Sequence, residues 1–129
     1  MSSSSNSLSP AKIDQLFAFG SNGHGQLGIG SKDDTNIPTR CILSDNPKNF
    51  SPKYITGGGN HSAIITHDGE LWISGLNNDG QCGPFSSLYD NTMTNDSSTT
   101  IYRRMILPEE LRSKMKWRHV ACGWAFTVA

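Results

Sequence analysis

The sequence predicts an all-β protein, and within that class an incomplete β-propeller of about two blades with one short helix. Three observations lead there. First, 13 of the 129 residues are Gly and only 17% are charged, against about 7% and 25% in an average soluble domain. That profile favours tight turns over exposed helices. Second, short runs of β-branched and aromatic residues recur, each bounded by Gly, Asn or Asp, which is strand punctuation. Third, the chain repeats itself at a period of about 50–60 residues, as blades of about four short strands do.

The repeat is explicit. Phe17–Gly28 reads FAFGSNGHGQLG and Trp72–Gly83 reads WISGLNNDGQCG. Gly20, Asn22, Gly25, Gln26 and Gly28 recur as Gly75, Asn77, Gly80, Gln81 and Gly83, all at a separation of 55. A second element, ITGGGNHSAII at Ile55–Ile65, is echoed by HVACGWAFTVA at His119–Ala129. Aligning Gly59 with Gly123 gives a separation of 64 and sets Ala125 against His61 and Trp124 against Asn60. The two separations differ by nine, so the second unit has grown between its motifs. The growth is expected in 84–106, where Ser, Thr, Asn and Asp dominate. Such a stretch cannot easily bury an apolar face and is expected to be an exposed loop.

Taken in order, residues 1–14 form a Ser-rich disordered N-terminus, 15–70 the first unit and 71–129 the second. Strands are expected at Leu16–Phe19, Ile55–Thr56, Ser62–Thr66, Leu71–Ser74, Val120–Cys122 and Phe126–Val128. Asp68 and Gly69, in His67-Asp68-Gly69-Glu70, supply the positive φ of a tight hairpin between two of them. The Asn-x-x-Gly-Gln-x-Gly element is too glycine-dense for a helix and fits a compact turn system. Leu107–Lys116 reads as the short helix, with Pro108 at its start and Glu109 and Glu110 in the first turn.

Charge and cysteine usage bound the function. Eleven Lys+Arg balance eleven Asp+Glu. Zero net charge excludes a strongly basic module that grips phosphate backbones, and equally a polybasic membrane anchor. Residues 1–10 lack the basic and apolar regions of a signal peptide, and no apolar run approaches the ~20 residues of a spanning helix. Neither a membrane nor a nucleic acid is therefore an expected direct partner. Cys41, Cys82 and Cys122 contain no CxxC pair and read as reduced thiols of an intracellular protein. A cytoplasmic location, extending to the nucleus, is expected.

Each residue with chemical potential has a structural reading beside the functional one. The glycine clusters could cradle a phosphate, yet no helix pattern follows Gly28 and no phosphate-binding Lys is in place. Glycines that permit turn geometry explain them better. Asn22, Gln26, Asn77 and Gln81 are amides suited to satisfying backbone groups that a turn leaves open. His61 with His67 and Asp68 suggests metal ligation or general-base chemistry. Six residues of strand would hold the two histidines about 20 Å apart, too far to share a metal. A hydrogen bond inside the blade is the simpler role for His61. Ser62 lacks a hydrolase elbow, and no acid–base–nucleophile set converges, so no catalytic residue, metal or cofactor is expected. Tyr102-Arg103-Arg104 is either a patch that steers an acidic partner or a solvated loop end. Trp124 follows a glycine where a strand begins and is either an interface anchor or a core residue. Asn60, His61 and Trp124 are the candidate partner-binding positions. The motif residues Gly20, Asn22, Gly25, Gln26, Gly28, Gly59, Asp68, Gly69, Gly75, Asn77, Gly80, Gln81, Gly83 and Gly123 are assigned to structure.

These spaced residues resemble the repeat of the regulator of chromosome condensation family. The family pattern is aromatic-x-x-Gly-x-Asn-x-x-Gly-Gln-Leu-Gly, here Phe17–Gly28, followed by Gly-x-x-His-Ser/Thr-x-x-Leu/Ile-x-x-x-Gly, here Gly58–Gly69. The second copy departs at Leu76 and Cys82, the third element at Ala125. The stretches Ala-Phe-Gly-Ser-Asn-Gly, Gly-Gly-Asn-His-Ser and Ala-Cys-Gly-Trp resemble fungal alpha-tubulin suppressor-like members in particular. The resemblance implies a seven-bladed propeller acting as a protein-interaction scaffold. In that subfamily the implied partner is a small zinc-finger protein of diphthamide synthesis. The implied role is to support diphthamide formation and Elongator-dependent wobble-uridine modification of tRNA. The alternative it implies is guanine-nucleotide exchange on a Ran-type small GTPase. Seven blades at about 50 residues each need about 350, so the 129-residue chain is expected to be an N-terminal fragment.

Overall fold

The computed structural model of the chain describes residues 12–83, 98–112 and 114–129. Its elements are β1 (Phe17–Gly20), β2 (Thr35–Arg40), β3 (Pro52–Gly57), β4 (His61–Thr66), β5 (Leu71–Leu76), β6 (Ser98–Arg104), α1 (Glu109–Arg112), β7 (Ala121–Cys122) and β8 (Thr127–Val128). The strands form three antiparallel sheets, β1–β2, β3–β4–β5–β6 and β7–β8. The middle sheet is one whole blade, and a half-blade lies on each side of it. This is an incomplete β-propeller with a single turn of helix. The 70/71 boundary between sequence units falls inside the β4–β5 hairpin of one sheet. Each unit gives the blade two strands, so repeats and blades run half a unit out of phase.

Strand register corrects the alignment of the second repeated element. Gly57 pairs with Ser62 and Thr56 with Ala63, and Cys122 pairs with Thr127 and Ala121 with Val128. Matching turns precede both strands: Gly58 N–H donates to the His61 carbonyl and Gly123 N–H to the Phe126 carbonyl, each at 2.8 Å. The separation is therefore 65 rather than 64. Phe126, not Ala125, stands where His61 stands, and Trp124 matches Gly59 rather than Asn60. Three consecutive glycines, Gly57–Gly59, left the register open in sequence, and the turn hydrogen bond decides it.

β4 and β5 are buried on both faces, which is why they read as continuous apolar runs. Ile64 and Trp72 point toward the first half-blade and pack with Cys41, Phe50 and Tyr102. Trp72 meets Phe50 edge-on at 5.6 Å, a favoured aromatic geometry. Ala63, Ile65, Leu71 and Ile73 point the other way, toward Cys82 and Cys122. Each large side chain buried this way stabilises the fold by about 1.5–3 kcal/mol. Two layers of core thus weld the whole blade to both half-blades.

The hairpin at 66–70 forms, but Gly69 at φ 80° supplies the positive φ without Asp68, and Gly69 N–H donates to the Thr66 carbonyl at 3.0 Å. Other expectations are corrected. Lys12–Asp14, placed in the disordered N-terminus, pair with Phe50 through Phe50 N–H to Lys12 at 2.7 Å and Asp14 N–H to Phe50 at 2.8 Å. A buried Phe50 needs backbone partners, and this segment supplies them. The rest of that N-terminus, 1–11, lies outside the described residues, as does 84–97 of the expected loop. The end of that loop is instead β6, whose Leu76↔Ser98 and Trp72↔Arg104 pairings complete the blade. Thr99, Thr100, Ile101 and Tyr102 have strong strand preference, and Ser98, Thr99 and Tyr102 are buried. β2 was not expected either, because its exposed TNIPTR sequence shows no apolar alternation. The helix is shorter than Leu107–Lys116, ending as α1 at Arg112.

Candidate functional site

The repeated turns fold alike. Gly25 N–H donates to Asn22 and Gly28 N–H to Gly25, both at 3.0 Å, while Gly80 N–H donates to Asn77 at 3.1 Å and Gly83 N–H to Gly80 at 2.9 Å. Gly25 and Gly80 share φ 78°, and Gly20, Gly28, Gly75 and Gly83 are also positive. The amides hold these turns together. Asn22 Oδ1 accepts from Leu27 N–H at 3.0 Å, and Asn77 Oδ1 accepts from Cys82 N–H at 2.8 Å. Gln26 and Gln81 each accept the N–H two residues back at 2.9 Å. Asn22 also donates Nδ2–H to the Ser31 and Asp33 carbonyls at 2.7 and 3.0 Å. Fully buried and bonded at both ends, Asn22 has nothing left for a ligand.

Above each turn a hydroxyl clasps the glutamine carbonyl. Ser62 Oγ donates to Gln26 O at 2.6 Å and lies 2.7 Å from the Tyr102 hydroxyl. Thr127 Oγ1 donates to Gln81 O and lies 2.9 Å from His61 Nε2. A hydroxyl has one proton to give. Ser62 must therefore accept from Tyr102, and Thr127 must accept from His61, which fixes His61 as the Nε2–H tautomer. Burial lowers the His61 pKa from its ordinary 6.5, with the Phe126 carbonyl pulling weakly the other way. At 2% exposure, His61 is a neutral brace between blades and presents nothing to a partner. His61 opens β4 and His67 lies just past its other end. Among the described residues no group of three His, Cys, Asp or Glu could hold a metal ion.

Sequence reading missed Tyr102 and Thr127. Tyr102 sat in a stretch read as loop, yet its buried hydroxyl is pushed up to about 12 by burial. Thr127 becomes recognisable as the Ser/Thr of the repeat only in the corrected register. Arg103 and Arg104 are also engaged, with Arg103 Nε donating to Thr99 Oγ1 at 2.9 Å and Arg104 to Glu70 at 3.0 Å. The Tyr-Arg-Arg run is thus part of the blade and not an open steering patch. Burial raises the Cys41 and Cys82 thiols to about 11 and 12, keeping them protonated at neutral pH.

Trp124 behaves differently from the other two candidates. It is 77% exposed yet held in place. Its carbonyl accepts Gly59 N–H at 3.1 Å, and its indole lies over Gly59, where a Cβ would come within 2.7 Å of the ring. Gly123 is covered in the same way by Phe126. Asn60, half-buried, accepts Leu76 N–H through its carbonyl at 2.9 Å. The glycine-turn end of the blade thus offers a solvent-facing indole seated on Gly59.

The profile of the regulator of chromosome condensation (RCC1) repeat matches residues 14–65 and 68–129. The chain belongs to the RCC1-repeat family. This RCC1-repeat chain is 39% identical over 127 residues to the secretion-regulating guanine nucleotide exchange factor of Mus musculus, across 98% of its own length and 24% of that protein. It is 33% identical over 115 residues to an RCC1 repeat-containing protein of Schizosaccharomyces pombe, across 88% of itself and 29% of the relative. A third relative, the X-linked retinitis pigmentosa GTPase regulator of Homo sapiens, is 40% identical over 70 residues, or 54% of this chain and 7% of that one. The chain therefore spans under a third of the relatives it matches. Among solved structures, yeast RCC1 (Prp20) bound to Kap60 superposes with a TM-score of 0.62 at 24% identity, over 84% of this chain and 24% of that one. Human WBSCR16 gives 0.63 at 20% identity over the same shares. Both likenesses establish the RCC1-type fold. No described helix of the chain is long and apolar enough to cross a membrane.

Proposed function

We propose that this RCC1-repeat chain is part of a propeller that works by docking proteins, and that the docked protein is a small GTPase whose guanine nucleotide it exchanges. The observation that carries the reading is the 39% identity over 127 residues to a protein named as a guanine nucleotide exchange factor. The geometry is in keeping with docking in place of covalent chemistry. The turn amides, His61, Ser62 and Tyr102 all serve the fold, while Trp124 is rigidly presented to solvent, and Trp is enriched among binding hot spots. The proposed place of action is the cytoplasm, extending to the nucleus.

The test is release of a fluorescent GDP analogue from a panel of small GTPases. Acceleration by the protein is expected, with Trp124→Ala reducing it at least tenfold while leaving the melting temperature unchanged. No acceleration on any GTPase overturns the exchange reading. The second reading is a scaffold for the small zinc-finger protein of diphthamide synthesis, linked to wobble-uridine modification of tRNA. The 33% identical fungal relative keeps it in view. Capture of that zinc-finger protein without nucleotide release would select it.

A further inference from the structure

A second site lies past the far end of β4, about 17–20 Å along the strand from the Trp124 face at ~3.3 Å per residue. The β4–β5 turn and the segment 114–118 enclose an open cavity of about 520 Å³, within the range of ordinary ligand pockets. Lys53, His67, Lys114, Lys116 and Arg118 line it, and Asp68 is the one carboxylate that does. Glu70, next to Asp68, is already committed, since Arg104 holds it at 3.0 Å.

The cavity wall is fixed. Trp117 N–H donates to the Gly69 carbonyl at 2.9 Å, and Lys116 Nζ donates to the Asp68 carbonyl at 3.0 Å. The Lys116 stem packs over Gly69, where a Cβ would meet it at 2.7 Å. Lys53, Lys114 and Arg118 form no ion pair among the described residues. Lys53 rests instead 5.5 Å from the Tyr54 ring. Three cations with no ion pair among the described residues thus stand around a concave site whose apolar lining includes Trp117 and Met115.

We propose that this cavity docks an acidic peptide segment of a protein partner. Ammonium groups bind carboxylates as point charges, and the apolar lining accepts the peptide's aliphatic stems. A polyphosphate chain is the poorer fit, because a chain of zero net charge lacks the extended positive field that phosphate backbones need.

The test is anisotropy of a fluorescein-labelled octaglutamate peptide titrated with the 129-residue chain at low salt. Saturable binding is expected. Lys53→Gln/Lys114→Gln/Arg118→Gln should weaken it about tenfold, the sum of three surface charge contacts of about 0.5 kcal/mol each. Exposed Lys and Arg side chains can be changed this way without loss of fold, which far-UV circular dichroism will confirm. Trp124→Ala should bind the peptide like the parent, so this proposal fails or stands separately from nucleotide exchange. Equal peptide affinity of the triple variant and the parent overturns the proposal. So does tighter binding of inorganic phosphate or of an oligothymidylate than of the peptide.

Discussion

The His61 imidazole and the Thr127 hydroxyl, 66 residues apart in the chain, meet at 2.9 Å across the junction between the whole blade and the half-blade after it. The Thr127 hydroxyl donates its own hydrogen bond to the Gln81 carbonyl, so one hydroxyl joins β8, the start of β4 and the second glycine turn. Thr127→Val keeps the shape and deletes the oxygen. It leaves the His61 N–H and the Gln81 carbonyl without their partner, at about 1–3 kcal/mol for each buried group. Thermal unfolding should show a loss of about 2 kcal/mol or more for Thr127→Val and little change for Thr127→Ser. Equal losses in both would mean that packing, not the hydroxyl, closes the junction.

The burial of His61 makes the same junction pH-sensitive. Burial depresses the His61 pKa below its ordinary 6.5, so the unfolded chain takes up a proton that the folded chain refuses. Stability therefore rises with pH wherever the unfolded state binds more protons. The His61 contribution is complete above about pH 6.5 and is lost as pH falls toward the folded-state value. Melting temperatures at pH 7.5 and pH 5 should differ less in His61→Gln, whose amide can still donate to Thr127, than in the parent. An identical pH dependence in the two proteins would remove His61 as the sensing group.

The legible parts of the fold were those that a spaced pattern of special residues imposes. Glycines at positive φ and amides that bond backbone must sit at fixed positions, so Gly20–Gly28 and Gly75–Gly83 announced themselves. The two-sided burial of β4 and β5 likewise left continuous apolar runs. β6 was missed because its short Thr99–Tyr102 run closes a long polar stretch and only Tyr102 in it is a buried apolar residue. The clasps of Ser62 and Thr127 were illegible because they join residues 36 and 46 apart that only strand register brings together. For the site, the sequence left Trp124 as either an interface anchor or a core residue, and its 77% exposure decides against the core. An inward hydrogen bond was already the simpler reading of His61, but its partner, Thr127 on β8, could not be read because 66 residues separate the two.

The two turn asparagines should respond unequally to the same change. Asn22→Asp keeps the acceptor for Leu27 N–H but replaces two donors with an oxygen facing the Ser31 and Asp33 carbonyls. At a fully buried position this should cost about 2–4 kcal/mol. Asn77→Asp loses one donor, the 3.1 Å bond to the Gly83 carbonyl, at a half-buried position, and should cost about 1 kcal/mol. Chemical denaturation of the two variants checks the order, and a larger loss at Asn77 would contradict the first turn's greater burial.

The matching glycines separate backbone strain from crowding. Gly25 and Gly80 both sit at φ 78°, so alanine at either bears the left-handed penalty of about 1–2 kcal/mol. Their surroundings differ. Among the described residues a Cβ on Gly80 would meet nothing within 4 Å, whereas one on Gly25 would lie 2.5 Å from the Thr99 carbonyl oxygen and 2.9 Å from the Thr100 Cα. Those atoms belong to β6 and cannot swing aside as a side-chain tip would. Gly80→Ala should therefore lower stability by about 1–2 kcal/mol, and Gly25→Ala by at least about 1–3 kcal/mol more, as overpacking does. Gly25→Ala should also weaken the Ser74 hydroxyl bond to the Gly25 carbonyl, now 2.7 Å, because relief of the clash must draw the first turn off the blade. Urea midpoints of the two alanine variants measure the difference, and equal midpoints would show that contact with β6 adds nothing to the cost at the first turn.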